Sequence, residues 1–171
     1  LLASDGITVD VVGVYERGRL DPIPVTEQTS LVSVMAANNE TGNLHDVTAI
    51  AHDAHKVGAL VHTDAVQAVG KIAVDLSAWG VDLASLSSHK IAGPQGVGAL
   101  YVRPGLEFCP LLQGGGQEGG LRSGTENVAA IVGFGEAARL AQSELNERRA
   151  RWQRQRSRLE QWVCAELADT K

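Results

Sequence analysis

Short apolar runs alternate with a helical pattern through much of the chain. The runs predict strands at Ile7–Val14, Leu31–Ala37, Ala59–Val66, Val81–Ser88 and Gly96–Val102. The second run, Leu31–Ala37, is continuously apolar, which is typical of a strand covered on both faces. After it, apolar residues recur at helical spacing from Val47 to Val57, with Asp46 as the N-cap and Gly58 as the stop.

This order of elements predicts an α/β fold, with a mostly parallel sheet flanked by helices. The last predicted strand follows a short Gly-Pro turn, so we expect it to run antiparallel to the strand before it. Further along, Leu145, Trp152 and Leu159 repeat every seven residues. That spacing predicts a long amphipathic helix whose apolar side is packed and whose arginines lie in water, rather than a nucleic-acid surface.

Polar residues follow the predicted strands at the point where each strand ends. In parallel sheets these ends meet at one edge, and ligands bind beyond it. The residues are Asn38, Asn39, Glu40, Asp64, Gln67, Ser87, His89 and Lys90. A carboxylate, amides, hydroxyl and imidazole donors and a lysine amine suit pyridoxal 5'-phosphate, which needs an amine for its aldehyde, a carboxylate for its ring nitrogen and donors for its phosphate.

Composition and charge exclude several classes of function. The chain has 171 residues, enough for one compact domain, and its net charge of −5 disfavours nucleic-acid and membrane-surface binding. It has neither a long apolar span nor the pattern of a signal peptide, so we expect a soluble, cytoplasmic protein. Cys109 and Cys164 are expected to be packed small hydrophobes. We interpret His52 and His55 as part of a solvated helix face rather than as a metal site.

The glycine-rich segment Gly114–Asn127 has the composition of a flexible linker. Within it, Ser123, Gly124, Thr125 and Glu126 form a capping-box pattern that predicts the start of a helix, and a helix N-terminus is a natural anion site.

Four motifs resemble, in order and spacing, those of the cysteine desulfurases. They are "NNETG" from Asn38, "HTDAVQAVGK" from His62, "SSHKIAGPQGVGALYV" from Ser87 and "GGGQEGGLRSGTEN" from Gly114. These enzymes belong to the class V aminotransferase group and have the fold-type I architecture of pyridoxal-phosphate transferases. The resemblance implies a partial cofactor-binding large domain over residues 1–141. Residues 142–171 would then be a long linker helix leading towards a small domain.

The resemblance also implies a role for each matching residue. Lys90 is the lysine that bonds the cofactor covalently and later moves the substrate's Cα proton, and Asp64 pairs with the pyridinium nitrogen. The remaining implied contacts are Asn39 and Gln67 near the phenolic oxygen, Ala65 against the ring face, Ser87 and His89 at the phosphate, and Thr125 at the phosphate of the partner subunit in a homodimer. Arg122 would support the loop that carries Thr125.

The function implied is conversion of L-cysteine to L-alanine, with the sulfur passed through an enzyme persulfide to an acceptor or an iron–sulfur scaffold protein. The resemblance places the catalytic cysteine and the substrate-binding arginine beyond this stretch, so we expect the chain alone to release no sulfide. Two alternatives remain open. The first is another class V enzyme, such as a selenocysteine lyase or an aminotransferase, and the second is a non-catalytic dimerisation or binding fragment.

Overall fold

A sheet with a helix packed on one face forms the centre of the computed structural model, which describes residues 6–167. The strands are β1 (Val14–Tyr15), β2 (Arg19–Leu20), β3 (Leu31–Met35), β4 (Leu60–Asp64), β5 (Leu83–Ser87) and β6 (Gly98–Val102). The α-helices are α1 (Val47–Lys56), α2 (Val128–Ser143) and α3 (Leu145–Glu166). Short 3-10 turns occupy Glu16–Gly18, Ser88–Ile91 and Gln117–Gly120.

The main sheet has four strands in the order β3-β4-β5-β6. β3, β4 and β5 are parallel, whereas β6 pairs antiparallel to β5. The predicted mostly parallel sheet is therefore confirmed, and so is the reversal after the Gly-Pro turn. β1 and β2 form a separate antiparallel pair.

Helix α1 covers one face of this sheet. The Asp46 carboxylate accepts a hydrogen bond from the Ala49 backbone N–H at 3.0 Å, which confirms the predicted N-cap. The helix buries Val47, Ala51 and Ala54, in one core with the inward residues of the strands. Small alanines at the contact let the helix backbone approach the sheet closely.

The opposite face of the sheet is only partly covered within residues 6–167. On β3, Val32 and Val34 are buried, whereas Leu31 is 50% exposed and Ser33 is exposed. The prediction that this strand is covered on both faces was wrong for the described part of the chain, because α1 packs against one side alone.

The first predicted strand was also wrong. Residues 7–13 have no regular secondary structure, and only Val14 of the predicted run lies in β1. Val11 is 90% exposed. An extended segment without a neighbour cannot satisfy its backbone hydrogen bonds as a sheet does, so apolar alternation alone does not make a strand.

Helix α2 does not begin at the predicted capping box. Its N-cap is Asn127, whose side chain accepts a hydrogen bond from the Ala130 N–H at 3.2 Å. The Ser123 hydroxyl instead donates to the Gly115 carbonyl at 2.8 Å, so it fastens the glycine loop. Arg122 donates to the Ser123 carbonyl in the same loop, at 3.0 Å.

Helix α3 confirms the long helix but not the packing of its apolar side. Trp152, Leu159 and Trp162 are 38%, 59% and 61% exposed, and no residue of α3 is buried. Cys109 and Cys164 are likewise exposed, so their predicted burial was wrong. Among residues 6–167, no helix has the length and apolar character needed to cross a bilayer.

A buried carboxylate ties the strands and α1 together at the end of the sheet where β4 begins. Asp82, whose side chain is 1% exposed, accepts from Arg103 Nε at 2.7 Å and from the Val61 N–H at 2.7 Å, and its other contact is His55 Nε2 at 2.9 Å. Burial pushes the pKa of Asp82 upward, but these hydrogen bonds outweigh burial and hold the pKa below its usual range. His55 is therefore not simply a solvated helix residue, as predicted, but a partner of Asp82.

We expect Arg103→Leu to lower the free energy of unfolding by about 2–3 kcal/mol, because it removes one donor from a buried carboxylate. The lowered pKa of Asp82 means that its ion pairs stabilise the fold above the unfolded-state pKa, and that this stabilisation fades as the pH falls through the lower folded-state value. Urea unfolding of the purified protein between pH 3 and pH 7 measures both effects.

The matched control is Arg139→Leu, which removes an exposed pair with Glu136 on α2. That change should lower the free energy of unfolding far less than Arg103→Leu does, because water and salt screen a fully exposed pair. Equal losses for the two variants would show that the Asp82 cluster does not support the fold.

Candidate active site

Three parallel strands bring their carboxyl ends to one edge of the sheet. Met35 of β3 lies opposite Asp64 of β4, and Asp64 lies opposite Ser85 of β5, so Ser87 ends its strand beside this edge. The Ala36 N–H donates to the Asp64 carbonyl at 2.9 Å, which keeps the chain after β3 at the same place.

The loop after β3 is held by Asn38 and not by Asn39. Asn38 Oδ1 accepts from the backbone N–H groups of Glu40 and Thr41, both at 2.9 Å, and from the Thr41 hydroxyl at 3.1 Å. This Asx turn leaves Asn39 exposed, and its side chain forms no hydrogen bond within residues 6–167. Asn38 is thus structural, whereas Asn39 is free for a ligand.

Asp64 ends β4 with one carboxylate oxygen engaged. Oδ1 accepts from the Val66 N–H at 2.9 Å, which leaves Oδ2 without a hydrogen-bond donor in the described residues. Ala65 is fully buried, and its carbonyl accepts from the Ala68 and Val69 N–H groups. Gln67 is half-buried in the turn so formed.

Lys90 lies in the tight turn directly after β5. The Ser87 hydroxyl and His89 Nδ1 are 2.8 Å apart, so these two side chains are already paired. Lys90 is exposed, and its amine makes no hydrogen bond or ion pair within residues 6–167. The sheet edge therefore carries an available primary amine beside a hydroxyl and an imidazole.

The backbone of this turn is strained where it leaves Lys90. Ala92 closes the 3-10 turn with a left-handed φ of 65°, a conformation that costs a residue with a Cβ about 1–2 kcal/mol. Next to it, a Cβ on Gly93 would lie 2.2 Å from Ser88 Oγ, so only glycine fits. Strain of this kind tends to collect at functional sites.

Sequence reasoning missed Lys71. Its Nζ is buried and has no hydrogen-bond partner within residues 6–167. The preceding Gly70 packs against Ile91, since a Cβ on Gly70 would lie 2.9 Å from Ile91 Cγ2. Burial lowers the pKa of Lys71, and the charge of Lys90 lowers it further. The sequence around Lys71 gives no indication that this residue lies near the turn that carries Lys90.

His62 was also missed as part of the site. Its Nδ1 lies 2.8 Å from Ser33 Oγ and its Nε2 lies 2.9 Å from Ser85 Oγ. Burial lowers the pKa of His62, and the Asp64 carboxylate opposes that shift. The three residues are far apart in the chain, so only the strand register reveals the contact.

Thr125 lies in the loop before α2, beyond the last strand of the sheet in the sequence. It is exposed, and its hydroxyl makes no hydrogen bond within residues 6–167. The structure therefore brings Asp64, Ser87, His89 and Lys90 to one edge of the sheet and leaves Thr125 on the surface.

Several of these residues have groups without a hydrogen-bond partner, and the chemistry of those groups fits pyridoxal phosphate. Lys90 offers a free amine and Asp64 a carboxylate oxygen without a donor. The unpartnered Lys71 nitrogen adds positive charge near Lys90, which suits a phosphate. The described residues include no cluster of three or more histidine, cysteine, aspartate or glutamate side chains that could hold a metal.

Comparison with known proteins gives consistent matches. Residues 1–171 match the family described as aminotransferase class-V. A cysteine desulfurase of Gluconacetobacter diazotrophicus is 49% identical over 168 residues, which cover 96% of this chain and 42% of that protein. The chain thus spans less than half the length of this curated relative.

Solved structures share the architecture. A structure described as a NifS-like protein matches with a TM-score of 0.87 and 45% identity, covering 91% of this chain and 44% of that chain. A structure of SspA in complex with cysteine matches with a TM-score of 0.64 and 41% identity, covering 67% of this chain and 34% of that chain.

Proposed function

The chain belongs to the class-V aminotransferase family, and we propose that its protein is a pyridoxal-phosphate-dependent cysteine desulfurase. It converts L-cysteine to L-alanine in the cytoplasm and passes the sulfur to an acceptor or an iron–sulfur scaffold protein. The observation that carries the proposal is the free amine of Lys90 at the same sheet edge as the half-engaged carboxylate of Asp64. The similarity to a protein named cysteine desulfurase supports the choice of substrate.

Each residue at the edge has a defined task in this proposal. Bound pyridoxal phosphate supplies an electron sink for the substrate's Cα carbon. Lys90 Nζ would hold the cofactor covalently, and its free amine would be the group that moves the proton at the substrate's Cα. Asp64 keeps the ring nitrogen protonated through its free oxygen.

The remaining residues bind and orient. Ser87 and His89 donate to the phosphate, and Gln67 and Asn39 contact the phenolic oxygen or position the ring. Ala65 does not join them, because it is fully buried by protein atoms and presents no surface to a ring. In this proposal the thiol that accepts sulfur lies outside this stretch, as the resemblance to the desulfurases implies, so neither Cys109 nor Cys164 has a catalytic task.

A sulfur-release assay tests the function. The full-length protein, incubated with pyridoxal phosphate, L-cysteine and dithiothreitol, should form sulfide and alanine in equal amounts. Cys109→Ser and Cys164→Ser should leave that yield unchanged.

Release of selenide from selenocysteine without sulfide from cysteine would favour a selenocysteine lyase. A keto acid without sulfide would favour an aminotransferase, and no cofactor absorbance would favour a non-catalytic fragment.

We also propose that the protein is a homodimer with shared sites. Thr125 is exposed, and apolar residues on the same part of the chain are exposed too, with Leu111, Val128 and Val132 at 94%, 64% and 66%. A second subunit packed on this part of the chain would cover these apolar side chains. Thr125 then donates its hydroxyl to the phosphate bound by the partner subunit.

Mixed dimers of two defective subunits should recover activity. Thr125→Ala alone should reduce turnover by about tenfold or more, since it removes a hydrogen bond to a charged phosphate. When Thr125→Ala and Lys90→Ala subunits are mixed and re-associated, each mixed dimer has one complete site. Random exchange should therefore restore about a quarter of wild-type activity, because about half of the dimers are mixed and each has one working site.

The matched control mixes Lys90→Ala with Asp64→Ala, whose two defects lie in the same subunit's site. That mixture should remain inactive. No recovery in the Thr125 mixture would place Thr125 in its own subunit's site or outside any site.

A further inference from the structure

Helix α2 packs directly against the tight turn that carries Lys90. Ile91 of this turn is buried with Ala137 and Ala141 of the helix in a small apolar cluster. Ala137 and Ala141 are four residues apart, so they lie on one face of α2. The turn after β5 is therefore supported by the side of a helix as well as by its own strand.

A proline of the same connection lies against the helix backbone. The connection runs from Lys90 to Pro94, and a Cβ placed on Gly133 of α2 would lie 2.6 Å from Pro94 Cγ and 3.1 Å from Pro94 Cδ. Carbon atoms in favourable contact lie about 3.5–4 Å apart, so a side chain at Gly133 would displace the proline ring. Gly133 precedes Ala137 by four residues and belongs to the same face of the helix.

A displacement of the proline would reach Lys90 because the connection is closed into a small loop. The backbone N–H groups of Ala92 and Gly93 both donate to the Ser88 carbonyl, the second at 3.0 Å. Ala92 is already held in the left-handed region, with a φ of 65°, so the loop has little freedom to absorb a shift. The ring of Pro94 is bonded to its own backbone nitrogen, so it cannot turn aside as a flexible side chain would.

We propose that Gly133 is a positioning residue for Lys90. The absence of a side chain at Gly133 sets how closely α2 approaches the connection, and thereby where the lysine stands at the sheet edge. The inference rests on the proposed function, which gives the covalent anchor and the proton transfer to Lys90. A glycine inside a helix is unfavourable relative to alanine, and the close contact with Pro94 explains why one occurs here.

Gly135 supplies the matched control on the same helix. It follows Gly133 by two residues, so the two positions point to nearly opposite sides of α2. A Cβ on Gly135 would have no atom of the described residues within 4 Å. Gly135→Ala therefore adds the same methyl group and the same gain in helix propensity, without a contact at the lysine turn.

The first test needs neither cofactor nor activity. Amide hydrogen exchange of the full-length protein without pyridoxal phosphate, measured by mass spectrometry, reports on the N–H groups of Ala92 and Gly93 that close the loop. Gly133→Ala should speed exchange of the peptide that contains them by about tenfold or more, because overpacking strains the loop. Gly135→Ala should leave the rate unchanged. Equal rates in Gly133→Ala and the wild type would overturn the proposal.

A change at the proline separates this contact from a general effect on the helix. Pro94→Ala removes Cγ and Cδ, the two atoms that a methyl group at Gly133 would meet. The double variant Gly133→Ala/Pro94→Ala should therefore exchange no faster than Pro94→Ala alone, since the two changes share one contact. Additive effects would show that the methyl group acts elsewhere on α2 and would contradict the proposal.

The second test uses the holoenzyme. Gly133→Ala should lower kcat by about tenfold or more, because a reacting group that is misplaced by a fraction of an ångström to an ångström loses much of its rate. The KM for cysteine should change less than about twofold, since no substrate contact is lost. The pH dependence of the cofactor's visible band should shift, and Pro94→Ala should restore most of the lost kcat. Faster exchange with unchanged kcat in an active desulfurase would show that the inference is wrong.

The opposite change keeps the proposal testable if Gly133→Ala does not fold. Ala137→Gly removes a methyl group that lies 3.0 Å from the position of a Cβ on Gly93, and Ala138→Gly makes the same change at an exposed position of α2. Only Ala137→Gly should speed exchange in the lysine turn, and equal effects of the two variants would overturn the proposal. If the folded protein releases no sulfide, the proposed function fails, and the exchange rates still decide whether α2 positions the turn.

Discussion

Replacing Lys90 should abolish desulfurase turnover, with a loss of at least about a thousandfold, because one amine is both the covalent anchor and the proton carrier. Lys90→Ala removes the amine. Lys90→Arg keeps the positive charge but supplies no nucleophile, since a guanidinium does not lose its proton in proteins. Both variants should be equally inactive in the sulfide assay, and both should lose the visible band of the covalently held cofactor.

Peptide mapping after borohydride reduction identifies the lysine directly. The pyridoxyl adduct should be on the peptide that contains Lys90. Lys71 is the informative competitor, because burial and the nearby charge of Lys90 lower its pKa and its nitrogen is buried. Lys56→Ala is the control, as it breaks only an exposed pair with Asp53 and should retain activity. An adduct on Lys71 with none on Lys90 would move the anchor to the neighbouring lysine.

Asp64→Ala should lower kcat by about two to four orders of magnitude while the protein folds normally. A carboxylate beside the ring nitrogen stabilises charge that develops during the reaction, and in a site that is already organised such a contact is worth several kcal/mol. The structural cost is small, because the Asp64 side chain accepts one hydrogen bond from a turn N–H. The sulfide assay measures kcat, and urea unfolding measures stability.

Asp64→Asn separates charge from shape, since it keeps the size and one acceptor oxygen but loses the negative charge. It should be nearly as inactive as Asp64→Ala. Asp53→Asn is the control, because that exposed aspartate pairs with Lys56 on the surface of α1. Near wild-type activity in Asp64→Asn would show that the carboxylate only shapes the turn after β4.

The sequence by itself determined the elements whose signals are local. The helix α1 follows from a cap residue and a helical repeat, both contained within Asp46–Gly58. The sheet follows from apolar runs, and the reversal before β6 from a Gly-Pro turn. Lys90 and Asp64 were predicted from their positions at strand ends. Asp64 ends β4, Lys90 lies in the turn after β5, and the ends of parallel strands share one edge. Their catalytic roles stay predictions until the variants are measured.

Local signals failed where the outcome depended on a partner elsewhere in the chain. Residues 7–13 alternate like a strand but have no strand to pair with in the described residues. The Ser123 hydroxyl matches a capping box but bonds the Gly115 carbonyl. The apolar side of α3 and the two cysteines are exposed. An amphipathic pattern predicts which side of a helix would be buried, but it does not predict which other part of the protein would cover that side.

Only the tertiary structure decided which distant polar groups meet. The strand register sets Ser33, His62 and Ser85 in one row, and the packing of Gly70 on Ile91 brings Lys71 near Lys90. Hydrogen bonds and charges act over a few ångströms of space, while a sequence pattern reports spacing along the chain. Contacts between residues that are 21 to 29 positions apart in the chain, as in this row and in the Asp82 cluster, are therefore seen only in the folded structure.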